Sequence, residues 1–245
     1  MNVNETIKKI LLLMIIVFSV SCCGYAKHKV DLNYGASFKN VKDSVFFIYR
    51  SDFMVENNEP LLLSQSSGTG TAVSSNKNYS DVLTAGHVCI DYYFNLPDTQ
   101  YVYQLFDFDG NEHDADLIAV DFESDLCLLR IYTQAKAISV SNERLESGDY
   151  VQYSGYPMGL YMPENLHHFT GFYSGTDKAG FSMFSLAVTG GSSGSSVINS
   201  DGEIVGVISS VTEDFAHLVL GPGVEKIKTF LFLSSTCEKY CIQKD

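Results

Sequence analysis

From residue 44 to residue 209 the chain is cut into short apolar runs by turn residues, and this rhythm restricts the fold more than any other feature. Strands are predicted from Ser44 to Tyr49, Thr69 to Ser74, Asp81 to Thr84, Tyr101 to Phe108, Asp114 to Val120, Leu126 to Tyr132, Tyr150 to Tyr153, His168 to Ser174, Phe181 to Val188, Ser195 to Asn199 and Ile204 to Ser209. Turn signals separate them, among them Asp109-Gly110-Asn111 and Ser200-Asp201-Gly202-Glu203, the latter read as a hairpin loop between two apolar runs. Strands that follow strands, with no helical pattern between them, argue for an all-β sandwich or barrel rather than βαβ units. Helices are expected only near the ends. One lies near Ala36 to Lys42, and one runs from about Val224 to Ser234, where apolar residues recur with helical spacing after Gly221-Pro222-Gly223. With 245 residues, 45% hydrophobic and 18% charged, the chain suits one domain of roughly 200 residues, or two packed halves.

The first segment stands outside that pattern. Lys8 and Lys9 precede a largely apolar run from Ile10 to Val20, about half the ~20 residues that a membrane-spanning helix needs. Residues 1–26 therefore read as an export signal, and 27–245 as the domain. Two cuts are open: after Ala26, where Gly24 and Ala26 supply small side chains, or before Cys22, leaving a lipid-bearing N-terminus. Either places the protein in the periplasm or outside the cell, with membrane contact only through such an anchor. The net charge of −13 argues against nucleic-acid partners, which require a basic footprint.

Three separated motifs carry candidate chemistry: Leu83-Thr84-Ala85-Gly86-His87, Ser124-Asp125-Leu126, and Thr189-Gly190-Gly191-Ser192-Ser193-Gly194-Ser195-Ser196. Amide hydrolysis through a covalent intermediate requires a hydroxyl nucleophile, a base for its proton and a carboxylate that orients the base, and the motifs supply these as Ser, His and Asp. A flexible Gly/Ser linker would not be clamped between Phe184-Ser185-Leu186-Ala187-Val188 and Val197-Ile198-Asn199. The order His, Asp, Ser excludes the α/β-hydrolase pattern, in which the nucleophile comes first. Glu112, His113, Asp114 and Asp116 read as the solvated end of a hairpin, because no second His or Cys lies at ligand spacing, so neither metal nor cofactor is expected. In an oxidising compartment Cys89, Cys127, Cys237 and Cys241 allow three pairings. If His87 and Asp125 meet, the cysteines two residues beyond each are drawn together, and a Cys89–Cys127 bridge is expected. Cys237 and Cys241 would close a short loop or remain free thiols.

The motifs, taken together, resemble the trypsin/chymotrypsin superfamily, specifically its HtrA-type bacterial branch. The resemblance runs from about Val45 to Phe232. It rests on Ser67-Gly68-Thr69-Gly70-Thr71-Ala72, Leu83-Thr84-Ala85-Gly86-His87-Val88, Asp121-Phe122-Glu123-Ser124-Asp125-Leu126, Gly148-Asp149-Tyr150-Val151, Gly155-Tyr156-Pro157-Met158-Gly159, the serine motif and Gly202-Glu203-Ile204-Val205-Gly206-Val207, in that order. It implies a chymotrypsin-like fold of two perpendicular six-stranded β-barrels with a C-terminal helix and the site in the cleft between them. It also implies a serine endopeptidase acting on proteins or peptides, with Ser193 as nucleophile, His87 as base and then acid, and Asp125 fixing the imidazole. The N–H groups of Gly191 and Ser193 would form the oxyanion hole, and no PDZ domain is expected beyond the protease domain. The other reading is a protease-like scaffold that binds without turnover.

In this superfamily the primary specificity pocket is set by residues shortly before the serine and on the strand after the hairpin, here Ala187, Val188, Ile208, Ser209 and Ser210. No acidic residue lies among them to attract a basic side chain. The related glutamyl endopeptidases carry Thr and His where this chain has Val188 and Ile208, which leaves small or aliphatic residues as the expected preference. Ser195-Ser196 stands where the family usually has Gly-Pro, and no Arg/Lys-Ile-Val-Gly-Gly activation site is present.

Overall fold

The computed structural model describes residues 41–56, 59–92, 98–212 and 215–236. The export segment 1–26, Cys22, Cys237, Cys241 and all but the end of the expected helix near Ala36 to Lys42 lie outside these residues. Where the description begins, Lys42–Ser44 forms a single 3-10 turn.

The strands are β1 (Val45–Glu56), β2 (Glu59–Ser75), β3 (Ser80–Ala85), β4 (Gln100–Phe106), β5 (Glu112–Asp121), β6 (Leu126–Ile131), β7 (Tyr150–Gly155), β8 (His167–Thr176), β9 (Phe181–Ser185), β10 (Ser196–Ile198), β11 (Ile204–Val207), β12 (Ser210–Thr212) and β13 (Phe215–Pro222). A four-residue helix α1 (Gly86–Cys89) follows β3, and α2 (Val224–Thr236) follows β13. The first six strands close into a barrel in the order β1-β2-β3-β6-β5-β4. The other seven form one sheet, β11-β10-β7-β8-β9-β13-β12, and an isolated bridge between Gly206 and Gly223 ties β11 to the chain just after β13. The all-β, chymotrypsin-like expectation thus holds, with a first barrel of six strands and a second half of seven whose rolled sheet leaves β12 at an edge.

Alternate side chains of the strands fill different clusters, and this explains each half. In the first, Phe46 and Ile48 of β1, Val82 of β3, Leu105 of β4 and Leu129 and Ile131 of β6 pack inside the barrel. In the second, Val151 and Tyr153 of β7, Phe184 of β9, Val197 of β10, Val205 of β11 and Val219 of β13 do the same. A third cluster joins the halves: Phe47, Leu83 and Leu126 from the first meet Tyr156, Ile198 and Val207 from the second, and α2 adds Ile227 and Phe230. Phe47 stacks on Tyr161 at 5.2 Å and meets Tyr156 edge-on at 5.7 Å. Each such fully buried side chain is worth about 1.5–3 kcal/mol, so the two halves are held as firmly as either core is filled.

Two elements differ from expectation. β1 and β2 run on as a long hairpin through Arg50, Ser51 and Asp52, because Arg50 and Asp52, two apart on one face, are buried as an ion pair at 2.7 Å. β12 and β13 continue the second sheet through a stretch whose Gly221-Pro222-Gly223 reads as a breaker; Pro222 is instead the last residue of its strand, where the lost N–H costs least.

Candidate active site

β3 ends at Ala85, and the single turn of α1 swings His87 out of the barrel end. Gly68 and Gly70 on β2 lie against Val88 and Val82, closer than a Cβ would allow. Behind the turn stands Arg50, whose Nη1 donates to the carbonyls of His87 and Val88, each at 3.0 Å, satisfying two carbonyls that so short a helix leaves open. Its Nε and Nη2 grip Asp52, which also accepts from Ser64 Oγ. Sequence reasoning missed this support. Its only signal was a pair of charges at i and i+2 inside an apolar run.

Asp125 lies at the mouth of β6 with φ 51°, in the left-handed region that Asp tolerates better than most residues. That backbone aims the carboxylate back at α1. Oδ1 accepts from the His87 amide at 2.8 Å and from Tyr92 Oη at 2.8 Å, while Oδ2 meets His87 Nδ1 at 2.8 Å and also accepts from Ser209 Oγ. Burial pushes the Asp125 carboxyl up. The hydrogen bond and charge of His87, then Ser209 and the His87 amide, outweigh burial and hold it at about 2. An ionised carboxylate can only accept, so Nδ1 carries a proton, and Nε2 is the nitrogen at which the ring can take up or give back another. The His87 side chain is 37% exposed and that of Asp125 15%.

The serine loop is fixed by its own turns and by the first barrel. Ser192 N donates to Thr189 O, Ser195 N to Ser192 O and Gly194 N to Ile208 O, while Ser193 O accepts from Thr69 N at 2.9 Å. Gly194 has φ +83°, and a Cβ there would stand 2.0 Å from Thr84 Oγ1 and 2.2 Å from Thr69 O. The chain at Ser193–Gly194 therefore lies against the end of β3, three residues before His87. Gly191, also at φ +83°, has room for no Cβ beside Tyr156 O, and its carbonyl accepts from Thr69 Oγ1. Among the described residues, the N–H groups of Gly191 and Ser193 donate to no acceptor, and no hydrogen bond joins the Ser193 hydroxyl to His87.

His87 and Asp125 are thus in direct contact, and the Ser193 backbone is docked beside the strand that carries His87. Of the residues assigned to a specificity pocket, Ala187 is exposed and its carbonyl accepts from Tyr153 Oη at 2.6 Å, Val188 packs on the second core, and Ser210 opens edge strand β12. Ile208 is buried in that core and the Ser209 hydroxyl donates to Asp125. Val211, exposed on β12 opposite buried Val219 on β13, was not anticipated. Cys89 and Cys127 are joined by the expected disulfide, both fully buried behind the His87–Asp125 pair. Ser195 and Ser196 are buried as well. A cavity of about 620 Å³ lies elsewhere, lined by Arg144, Leu145, Tyr173, Val224 and Lys226 among others.

Residues 68–207 match the family model of the trypsin-like peptidase domain. The chain is 27% identical over 155 residues to the periplasmic pH-dependent serine endoprotease DegQ of Escherichia coli, a match covering 59% of this chain and 31% of that protein. It is 26% identical over 155 residues to the periplasmic serine endoprotease DegP of the same organism, covering 59% and 30%. It spans about a third of the length of these curated relatives. A serine endoprotease from Yersinia pestis, 21% identical, superposes with a TM-score of 0.64 over 82% of this chain and 66% of that one, a likeness of fold. The chain belongs to the trypsin-like peptidase family.

Proposed function

We propose that the protein is an exported serine endopeptidase that cleaves peptide bonds through an acyl-enzyme on Ser193. The observation that carries this reading is the His87 Nδ1–Asp125 Oδ2 contact at 2.8 Å, which leaves Nε2 to act as the base, while the Ser193 backbone is docked against the strand that leads to His87. In the reaction Ser193 Oγ adds to the substrate carbonyl carbon and its proton passes to His87 Nε2. The tetrahedral intermediate then collapses, the C–N bond breaks, and His87 returns the proton to the departing amine. Water repeats the sequence to release the acid. The Oγ–Nε2 hydrogen bond, not made at rest, forms as substrate seats the hydroxyl, since such contacts commonly tighten only in the complex.

The oxyanion would be met by the N–H groups of Gly191 and Ser193, which have no other acceptor among the described residues. Donors of this kind lower the barrier by about 3 kcal/mol each. Substrate would add as a further strand on edge strand β12, whose outer side pairs with no described strand. The 620 Å³ cavity, whose lining includes none of His87, Asp125, Gly191 and Ser193, has no part in the reading. Val188 and Val211 make the nearby surface apolar, and with no carboxylate among residues 187–192 and 208–211, cleavage after small or aliphatic residues is expected.

Export rests on residues 1–26 and on the periplasmic naming of the relatives; lipidation at Cys22 is the alternative outcome at the same segment. The test is digestion of casein and a peptide library by the wild type beside Ser193→Ala, with fluorophosphonate labelling of both. Labelling at Ser193 and loss of at least about a thousandfold in kcat for the variant is expected. Equal cleavage by both, or a folded wild type that never labels, would refute the reading and leave the binding scaffold. Cleavage chiefly after Lys, Arg or Glu would refute the pocket alone.

A further inference from the structure

Tyr92 is used by none of the steps above, yet its hydroxyl reaches the centre of the cluster. It donates to Asp125 Oδ1 at 2.8 Å. With His87 N on the same oxygen, and His87 Nδ1 and Ser209 Oγ on the other, four donors meet the two carboxylate oxygens. A carboxylate offers about four lone-pair positions, so none remains for water.

Three further features show that Tyr92 is built into this place. Its ring lies edge-on to Phe122 with centroids 4.9 Å apart, and Phe122 belongs to the turn that delivers Asp125. The residue before His87 is Gly86, and a Cβ there would fall 2.1 Å from Tyr92 Oη, so the hydroxyl occupies the space that the missing side chain leaves. Gly86 is not at positive φ; space, not backbone freedom, is what glycine supplies. Finally, burial and the charge of Asp125, with a smaller push from Asp121, raise the phenol well above its ordinary range, so it remains a donor. The other charged groups nearby are Arg50 behind α1 and Asp91, which stand 4.0 Å apart.

We propose that Tyr92 is a positioning residue: with Ser209 it clamps the Asp125 carboxylate so that Oδ2 stays on His87 Nδ1, and it closes the solvent side of that contact. An unclamped carboxylate on a left-handed backbone turns about its side-chain bonds and admits water, and the imidazole then loses the fixed orientation that a base requires. This inference rests on the reading of His87 and Asp125 as a working pair, and its test separates the two.

Tyr92→Phe keeps the ring on Phe122 and removes only the oxygen. The first readout is the proton NMR signal of His87 Nδ1–H, which exists whether or not the protein turns over. Exchange of this proton with solvent is expected to be at least about tenfold faster in Tyr92→Phe. The second is peptide hydrolysis, where kcat is expected to fall about tenfold with KM unchanged, the scale of one hydrogen bond to a charged group. Tyr92→Leu, which loses ring and oxygen together, should match Tyr92→Phe in both readouts while unfolding at lower temperature. Equal exchange rates in wild type and Tyr92→Phe, or a change seen only in Tyr92→Leu, would overturn the proposal. An inactive wild type with the exchange difference intact would overturn the enzymatic reading and leave the clamp standing.

Discussion

Asp125→Asn is the perturbation whose size the structure sets most directly. Asn tolerates the left-handed φ of 51° as Asp does, so the backbone is kept while the charge goes. In the folded protein the carboxyl sits at about 2 against 3.8 for the free group. At about 1.4 kcal/mol per unit, ionised Asp125 stabilises the native state by roughly 2–3 kcal/mol. The sign follows from proton binding: between these values the unfolded chain binds the proton and the folded one does not. The contribution is therefore complete above about pH 4 and disappears as pH falls through about 2. Urea unfolding of wild type and Asp125→Asn at a series of pH values from 7 to 2 isolates this group, because every other carboxylate titrates in both proteins. The gap is expected to be about 2–3 kcal/mol at pH 7 and to close toward pH 2. A gap that stays constant would mean that the carboxylate is not held ionised by His87 and Ser209, and the assignment of proton to Nδ1 would fall with it. In peptide hydrolysis the same variant should lose about four orders of magnitude in kcat, since an amide that turns its NH2 toward Nδ1 donates to that nitrogen and holds the ring with its proton on Nε2, where it cannot take the serine proton.

Removing the Cys89–Cys127 bridge by the double Cys→Ala variant opens a loop with a sequence separation of 38 and should cost about 4 kcal/mol on the loop-entropy estimate. Equal urea midpoints for the bridged and unbridged proteins would contradict it. Arg50→Met leaves Asp52 buried without its partner and the carbonyls of His87 and Val88 without a donor, a loss of about 3–5 kcal/mol. Adding Asp52→Asn should recover part of it, and a double variant no more stable than the single one would show that the pair is not the source.

The parts of the site legible in the sequence are those made by backbone or by residues with one chemical reason to be present. Gly191 and Gly194 stand where no Cβ fits, and a glycine between apolar strands has few other uses. His87 and Asp125 were readable because each is followed by a strand-forming or core residue that fixes its place, and the bridge followed from them, since Cys89 and Cys127 are near neighbours of groups that must touch. What escaped reading is carried by side chains that cross between strands far apart in the chain. Hydrophobic periodicity reports which face meets the core and is silent about which polar group meets which. Arg50 and Asp52 look like the exposed end of a strand until Val88 and His87 are seen to present their carbonyls. The hydroxyl of Ser209, a residue read as pocket, donates to Asp125, a contact that no spacing announces. Tyr92, beside Tyr93 and Phe94 in the sequence, has no spacing that marks it from them; only the gap above Gly86 does. Glycine is thus informative twice here, once where the backbone must turn and once where another residue's hydroxyl needs its space, and the second kind becomes visible only after the fold has brought the two together.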